Sequence, residues 1–272
     1  MNNSVELYWL GQMGLLVRSG NTGICIDYYA APNDDRQVPP PIPAEELKGI
    51  DIFIGTHDHI DHIDHVSWKI WSQNNPDARF VFPRKHMDSV LADGVKPENA
   101  VGMNAGESIT IGDSVIHAVA ASHEFLDVDS DTGLYPYLQY IIEINGVRIH
   151  HAGDTVRYEG MLPAVKSYGN IDIQLLPING RDAKRYSENP RPGSSGGFLM
   201  RIYRKGESIV KEFYRCKFLG SKIPHNVYGF ISKFKYVAQL SGIIFTIFCV
   251  IVVNFVSLTY RILVAVETFK LC

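Results

Sequence analysis

Thr56-His57-Asp58-His59-Ile60-Asp61-His62 is the stretch of this chain that limits its fold most sharply. It follows an apolar run, residues 50–55, that ends at Gly55, so a short strand hands the chain to a loop dense in histidine and aspartate. Neutral imidazoles and a carboxylate are donors suited to borderline divalent cations such as zinc, manganese or iron. His57 and His59 alternate along an extended loop and so point the same way, toward one ion. Asp61 and His62, past a turn, can face a second. Two cations about 3.5–4 Å apart can hold a bridging hydroxide and polarise a substrate oxygen together. The duller reading is a solvated surface cluster, and four ligand-type residues at this spacing seldom arise that way.

Outward from the cluster, the chain reads as short strands with few helices. Residues 5–10, 14–18 and 23–27 are apolar runs punctuated by Gly11, Gly20 and Gly23, which suits a meander of hairpins. Residues 31–43, rich in Pro, Asp and Asn, are expected to form a surface loop. Helices are expected over 63–72 and 84–91. A second series of strands is expected over 108–111, 115–121, 138–144, 148–151 and 171–176, with Asn145-Gly146 a strong hairpin signal. Among the remaining histidines, His65 and the neighbouring Asp64 fall on the first helix as supporting or surface groups, and His86 and His117 read as structural. His150 and His151 are adjacent and face opposite sides of their strand, so at most one reaches a site.

The sequence T-H-D-H-I-D-H matches the H-x-H-x-D-H signature of the metallo-β-lactamase superfamily, and further segments resemble that family in its order. Ser122-His123-Glu124, after the strand at 115–121, is similar to the next ligand histidine. His151-Ala152-Gly153-Asp154-Thr155 is similar to the segment whose aspartate bridges two metals. The opening Trp9-Leu10-Gly11-Gln12-Met13-Gly14 and the later Leu176-Pro177-Ile178-Asn179-Gly180-Arg181-Asp182 resemble the branch containing the L-ascorbate-6-phosphate lactonases. The resemblance covers about residues 4–189. It implies a four-layer αββα sandwich, incomplete at the C-terminus, with a two-metal site (Mn or Zn) at one edge. One metal would be held by His57, His59 and His123, the other by Asp61, His62 and the bridging Asp154. It further implies hydrolysis by attack of a metal-bound hydroxide on a carbonyl, with Asp61 orienting the nucleophile or shuttling its proton. Asn179 and Arg181 would shape the substrate pocket, Arg181 being suited to a phosphate group.

After residue 189 the pattern fails. The superfamily supplies a late histidine to the second metal, and the only histidine left here is His225. Residues 1–200 carry 15 Lys and Arg against 26 Asp and Glu, a balance of −11, whereas 201–235 carry 9 against 2, a balance of +7. The chain thus divides into a catalytic part over 1–189, a basic linker over 190–235 and a hydrophobic tail over 236–272. Within that tail, residues 240–258 contain no charge and are long enough to cross a bilayer as a helix. The basic flank would keep the N-terminal side cytoplasmic. A fusion to a membrane anchor, a shifted reading frame and a divergent replacement all fit the abrupt change, and the lost motif together with the charge reversal favours the second. Loss of the late ligand would weaken the second metal and leave strand edges bare.

The acidic character of residues 1–200 argues against a nucleic-acid surface. The four cysteines form no C-x-x-C pair, and the N-terminus lacks a basic region followed by an apolar run, so a reducing cytoplasm is expected. The leading expectation is a metal-dependent hydrolase of a small molecule, a lactone or similar ester that could be phosphorylated. A phosphodiesterase of the same fold and a non-catalytic, membrane-tethered metal-binding remnant are the rivals.

Overall fold

A computed structural model of the chain describes residues 4–36 and 38–177, together with the backbone of four later strands. Strands β1 (Ser4–Gly11), β2 (Gly14–Ser19) and β3 (Thr22–Ile26) form an antiparallel meander. Strands β4 (Ile52–Ile54), β5 (Arg79–Pro83) and β6 (Ala100–Met103) extend it as parallel neighbours. A second sheet contains β7 (Ser108–Ile111), β8 (Ser114–Ala120), β9 (Leu138–Ile144), β10 (Val147–His151), β11 (Ile173–Pro177) and β12 (Met200–Arg204), in the order β12-β11-β10-β9-β8-β7. Strand β13 (Lys233–Val237) pairs with β1 and completes the first sheet, ordered β13-β1-β2-β3-β4-β5-β6.

The two sheets face each other across one core. Val5, Leu15, Val17, Ile24, Ile52 and Val81 of the first sheet pack with Ile116, Leu138, Tyr140, Ile142 and Ile149 of the second. Helices α1 (His65–Asn74) and α2 (Met87–Ala92) cover the outer face of the first sheet. There Trp71 stacks on Phe53 at 5.0 Å and on Tyr28 at 5.7 Å between ring centroids, and its indole Nε1 donates to Ala44 O. Helix α3 (Met161–Lys166) covers the other outer face through Val165 against Val119 and Ile141. The result is the expected αββα layering.

Each strand expected from the sequence over residues 5–176 is present, its ends within two residues of those expected. Asn145 and Gly146 both adopt positive φ, 50° and 75°, in the tight turn joining β9 to β10. Among the elements within residues 5–176, β5, β6 and α3 carried no recognised signal. Strands β5 and β6 lie in the parallel part of a sheet covered on both faces, where alternation of polar and apolar residues fades. Helix α3 has six residues and contains Pro163, too short for a helical period.

Of the two readings of Asp64, a supporting or a surface group at the first helix, burial excludes the surface one. It is fully buried as the N-cap of α1, accepting from Ser67 N and Ser67 Oγ and also from Ala30 N and Ala31 N of the loop after β3. Strand β12 pairs along β11 and strand β13 along β1, and these two form the outer edges of their sheets. Most of the linker and tail lie outside the described residues. Inside 240–258, the residues described are strand β14 (Ile251–Val252), paired antiparallel with β15 (Leu263–Val264). No helix among the described residues is long and apolar enough to cross a membrane.

Candidate metal centre

The site begins where β4 ends. Gly55 N donates to Val81 O, holding the strand to its last residue. A Cβ at Gly55 would lie 2.4 Å from Ile63 Cγ1, so only glycine lets the loop return this closely over its own continuation. Thr56 N and Oγ1 donate to Asp27 Oδ1 and Oδ2 at 2.8 and 2.7 Å, fastening the loop to the end of β3. Beyond His59 the chain turns, with His62 N and Ile63 N both donating to His59 O.

That turn brings His62 back beside His57, with ring centroids 4.0 Å apart. His57 and His59 meet edge to face, their Nε2 and Nδ1 atoms 2.9 Å apart. Two further segments close in from the second sheet. His123 follows β8 and lies with its ring 4.8 Å from that of His59 and 5.2 Å from that of His57. Asp154 follows β10, with Oδ1 at 3.4 Å from His62 Nε2 and Oδ2 at 3.8 Å from His123 Nε2. Asp61 Oδ2 approaches His62 Nε2 to 3.8 Å. Hydrogen bonds across the two segments hold them together: Ser122 N donates to Thr155 Oγ1, and Val156 N to Ser122 O. Gly153, at φ +54°, packs so closely on Thr56 that an added Cβ would lie 2.8 Å from its hydroxyl.

Donor atoms of His57, His59 and His123 thus lie within 4.8 Å of one another, as do those of His57, His62 and Asp154. Five of the six residues singled out in the sequence fall in these two groups; Asp61 lies outside both and approaches only His62. Asn179, Arg181 and His225 lie outside the described residues. His86 bonds Pro136 O and His117 bonds Ser108 and Glu143. Neither His150 nor His151 joins the cluster: His150 Nε2 meets Gln139 Oε1, and His151 Nε2 meets Met13 O.

Electrostatics suit cation binding at His57, His59 and His123, whereas His62 is held in its protonated form and would have to give up that proton to act as a ligand. Burial, reinforced by neighbouring imidazoles, holds His57 well below the ordinary histidine range, and His59 and His123 are lowered for the same reasons. These three are neutral near pH 7, the form that donates a lone pair. Burial also opposes charge on His62, but Asp27 and Asp154 outweigh it and hold that imidazole well above its usual range. The same pairing lowers Asp27 despite complete burial. Asp154 Oδ1 is buried and faces His62 Nε2 at 3.4 Å, so the His62 imidazolium answers its charge. The fit to a divalent metal ion rests on the chemistry of the donor set, neutral imidazoles of His57, His59 and His123 with the Asp154 carboxylate beside them.

Several contributors were invisible to motif reading. Asp27 accepts from His62 Nδ1 at 2.7 Å and so turns Nε2 toward Asp61 and Asp154. Its only sequence signal was an aspartate closing an apolar run. Tyr137 stacks over His123 at 5.2 Å and lines the site's cleft with Ala121, Leu138 and Thr155.

An αββα sandwich with histidines and a shared carboxylate gathered where the strands end defines a metallo-hydrolase type of fold. A family profile described as a beta-lactamase superfamily domain matches residues 24–202, and the chain belongs to that family. It is 28% identical over 176 residues to a UPF0173 metal-dependent hydrolase of Pyrococcus furiosus, covering 65% of this chain and 73% of that one. A UPF0173 metal-dependent hydrolase of Saccharolobus solfataricus is 30% identical over 182 residues, 65% of this chain and 72% of the relative. Among solved structures, the metallo hydrolase Igni18 of Ignicoccus hospitalis superposes with a TM-score of 0.51 at 23% identity, over 65% of this chain and 72% of that one. That likeness concerns the fold.

Proposed function

We propose that this chain is a metal-dependent hydrolase that opens a lactone or comparable ester of a small molecule, using two divalent cations, manganese or zinc. His57, His59 and His123 would hold one cation; Asp61, His62 and Asp154 would hold the other. The observation that carries this reading is Asp154, whose two carboxylate oxygens face His62 and His123 separately, between the two donor groups. When bound, such cations supply Lewis-acid polarisation of the substrate carbonyl and lower the pKa of water at the site.

The chain's own residues do the rest. Asp61 orients the attacking water and accepts its proton. Asp27 and Thr56 keep His62 and the ligand loop in one orientation. Tyr137 walls the cleft beside His123. Ile60 follows His59 directly and Phe125 lies two residues past His123, and both are more than half exposed. Those apolar side chains support a substrate with a hydrocarbon portion. The cytoplasm is the working compartment in this reading, in keeping with a buried free thiol at Cys25.

The test is metal reconstitution of the purified full chain after chelation, followed by assay against neutral and phosphorylated lactones, with a phosphodiester as comparison. Two bound equivalents with lactone turnover support the proposal. Phosphodiester turnover without lactone turnover would move the assignment to the phosphodiesterase reading, and absence of metal uptake would overturn it.

A further inference from the structure

Asp58 occupies the position between His57 and His59, and its side chain belongs to a second cluster behind the loop. His65 Nε2 donates to Asp58 Oδ1 at 2.6 Å, and His65 Nδ1 donates to Asp93 Oδ2 at 2.6 Å. Ser89 Oγ donates to Asp58 Oδ2 at 3.0 Å, and His86 Nδ1 lies 3.3 Å from the same oxygen. With both nitrogens donating to carboxylates, His65 is an imidazolium; the bonds to Asp58 and Asp93 push its pKa up to about 10. His65 is also the first residue of α1, where the helix dipole disfavours a positive charge. The two carboxylates overcome that opposition.

We propose that Asp58 is a positioning residue for the metal centre, fixing His57 and His59 on one side of the loop by anchoring the residue between them to α1 and α2. The chain bends through residues 56–59, and while the Asp58 carboxylate is held by His65, Ser89 and His86, the rings of His57 and His59 on either side of it meet each other at the metal centre. Two of its three tethers come from α2 and the short turn leading into it, and one from α1, so the loop is bonded to a packed layer instead of depending on its own backbone. His86 continues the path, its Nε2 bonding Pro136 O beside Tyr137, which stacks on His123. One cluster thereby touches both the loop that carries two histidines of the first trio and the segment that packs on the third.

This inference rests on the proposed metal centre but is tested separately from it. Zinc ion alone is titrated into the metal-free full chain by chelator competition, for wild type, Asp58→Asn and Asp93→Asn, with thermal melting of each metal-free protein in parallel. Asp93→Asn breaks the other half of the His65 clamp and serves as the control for general loosening. The expected result is a loss of zinc affinity of about 10- to 100-fold in Asp58→Asn. Asp93→Asn is expected to stay within about threefold of wild type while melting lower. Equal affinity in wild type and Asp58→Asn, or an equal loss in both variants, would overturn the positioning role. If the wild type itself takes up no zinc, the metal-centre reading fails and this inference falls with it.

Discussion

His62 Nδ1 lies 2.7 Å from Asp27 Oδ2, although 35 residues separate them in the chain. The pairing exists because β3 and β4 run side by side in parallel, so the loops that follow them emerge at the same edge of the sheet. Asp27 is fully buried and also takes both Thr56 donors, at φ 44°, a backbone region that aspartate tolerates better than most residues. A carboxylate held this way fixes which imidazole nitrogen is presented to a cation.

Replacing Asp27 with Asn keeps the shape but weakens the acceptor and removes its charge. Metal affinity and turnover are expected to fall by about 10- to 100-fold. Chelator competition on purified protein measures this, and unchanged affinity would mean that Asp27 is only a structural acceptor.

His57 contributes to both donor groups, and Asp61 is the proposed proton acceptor. His57→Ala and Asp61→Ala are each expected to lower turnover by about 10²-fold or more. His117→Ala, which alters only a contact network of Ser108 and Glu143 with the Tyr168 ring, should stay within about twofold of wild type. A comparable loss in all three variants would contradict the site assignment.

Gly153→Ala tests the packing between the two sheets at the site. Its Cβ would meet Thr56 at 2.8–3.0 Å from a backbone already at positive φ. The expected cost is about 1–3 kcal/mol, read as a lowered urea midpoint. Turnover should fall as well, because both Thr56 and Asp154 must shift.

The His65 clamp predicts a pH dependence of stability. Its folded pKa, about 10, lies above the unfolded value of roughly 6.5, so the folded state holds the proton more tightly. That contribution is complete below about pH 6.5 and declines as pH rises toward 10. Asp58 works in the opposite sense: its bonds to His65 and His86 hold it well below the usual carboxylate range, so its contribution is lost only in acid. Comparing metal-free wild type with His65→Gln in urea should show a larger gap at pH 6 than at pH 9.5. A gap independent of pH would exclude the ion pair as its source.

The sequence alone determined the short strands and four candidate ligands, His57, His59, Asp61 and His62, while its resemblance to the metallo-β-lactamase superfamily implied the fold class and added His123 and Asp154. Hydrophobic runs between glycines marked the strands, and a dense histidine–aspartate motif after a strand leaves few chemical readings. These are local signals, carried by residues within about ten positions of each other. What only the tertiary structure decided is which distant groups stand behind those residues. Asp27 became part of the centre through parallel pairing of β3 with β4, Asp64 became a buried cap through the loop after β3, and Asp58 found its partners on α1 and α2. Hydrogen bonds between side chains far apart in sequence leave no periodic trace, because only the folded sheets bring the two ends of such a bond within 3 Å. The converged centre itself has the same origin, since His123 and Asp154 reach His57 and His62 only when the second sheet closes over the first.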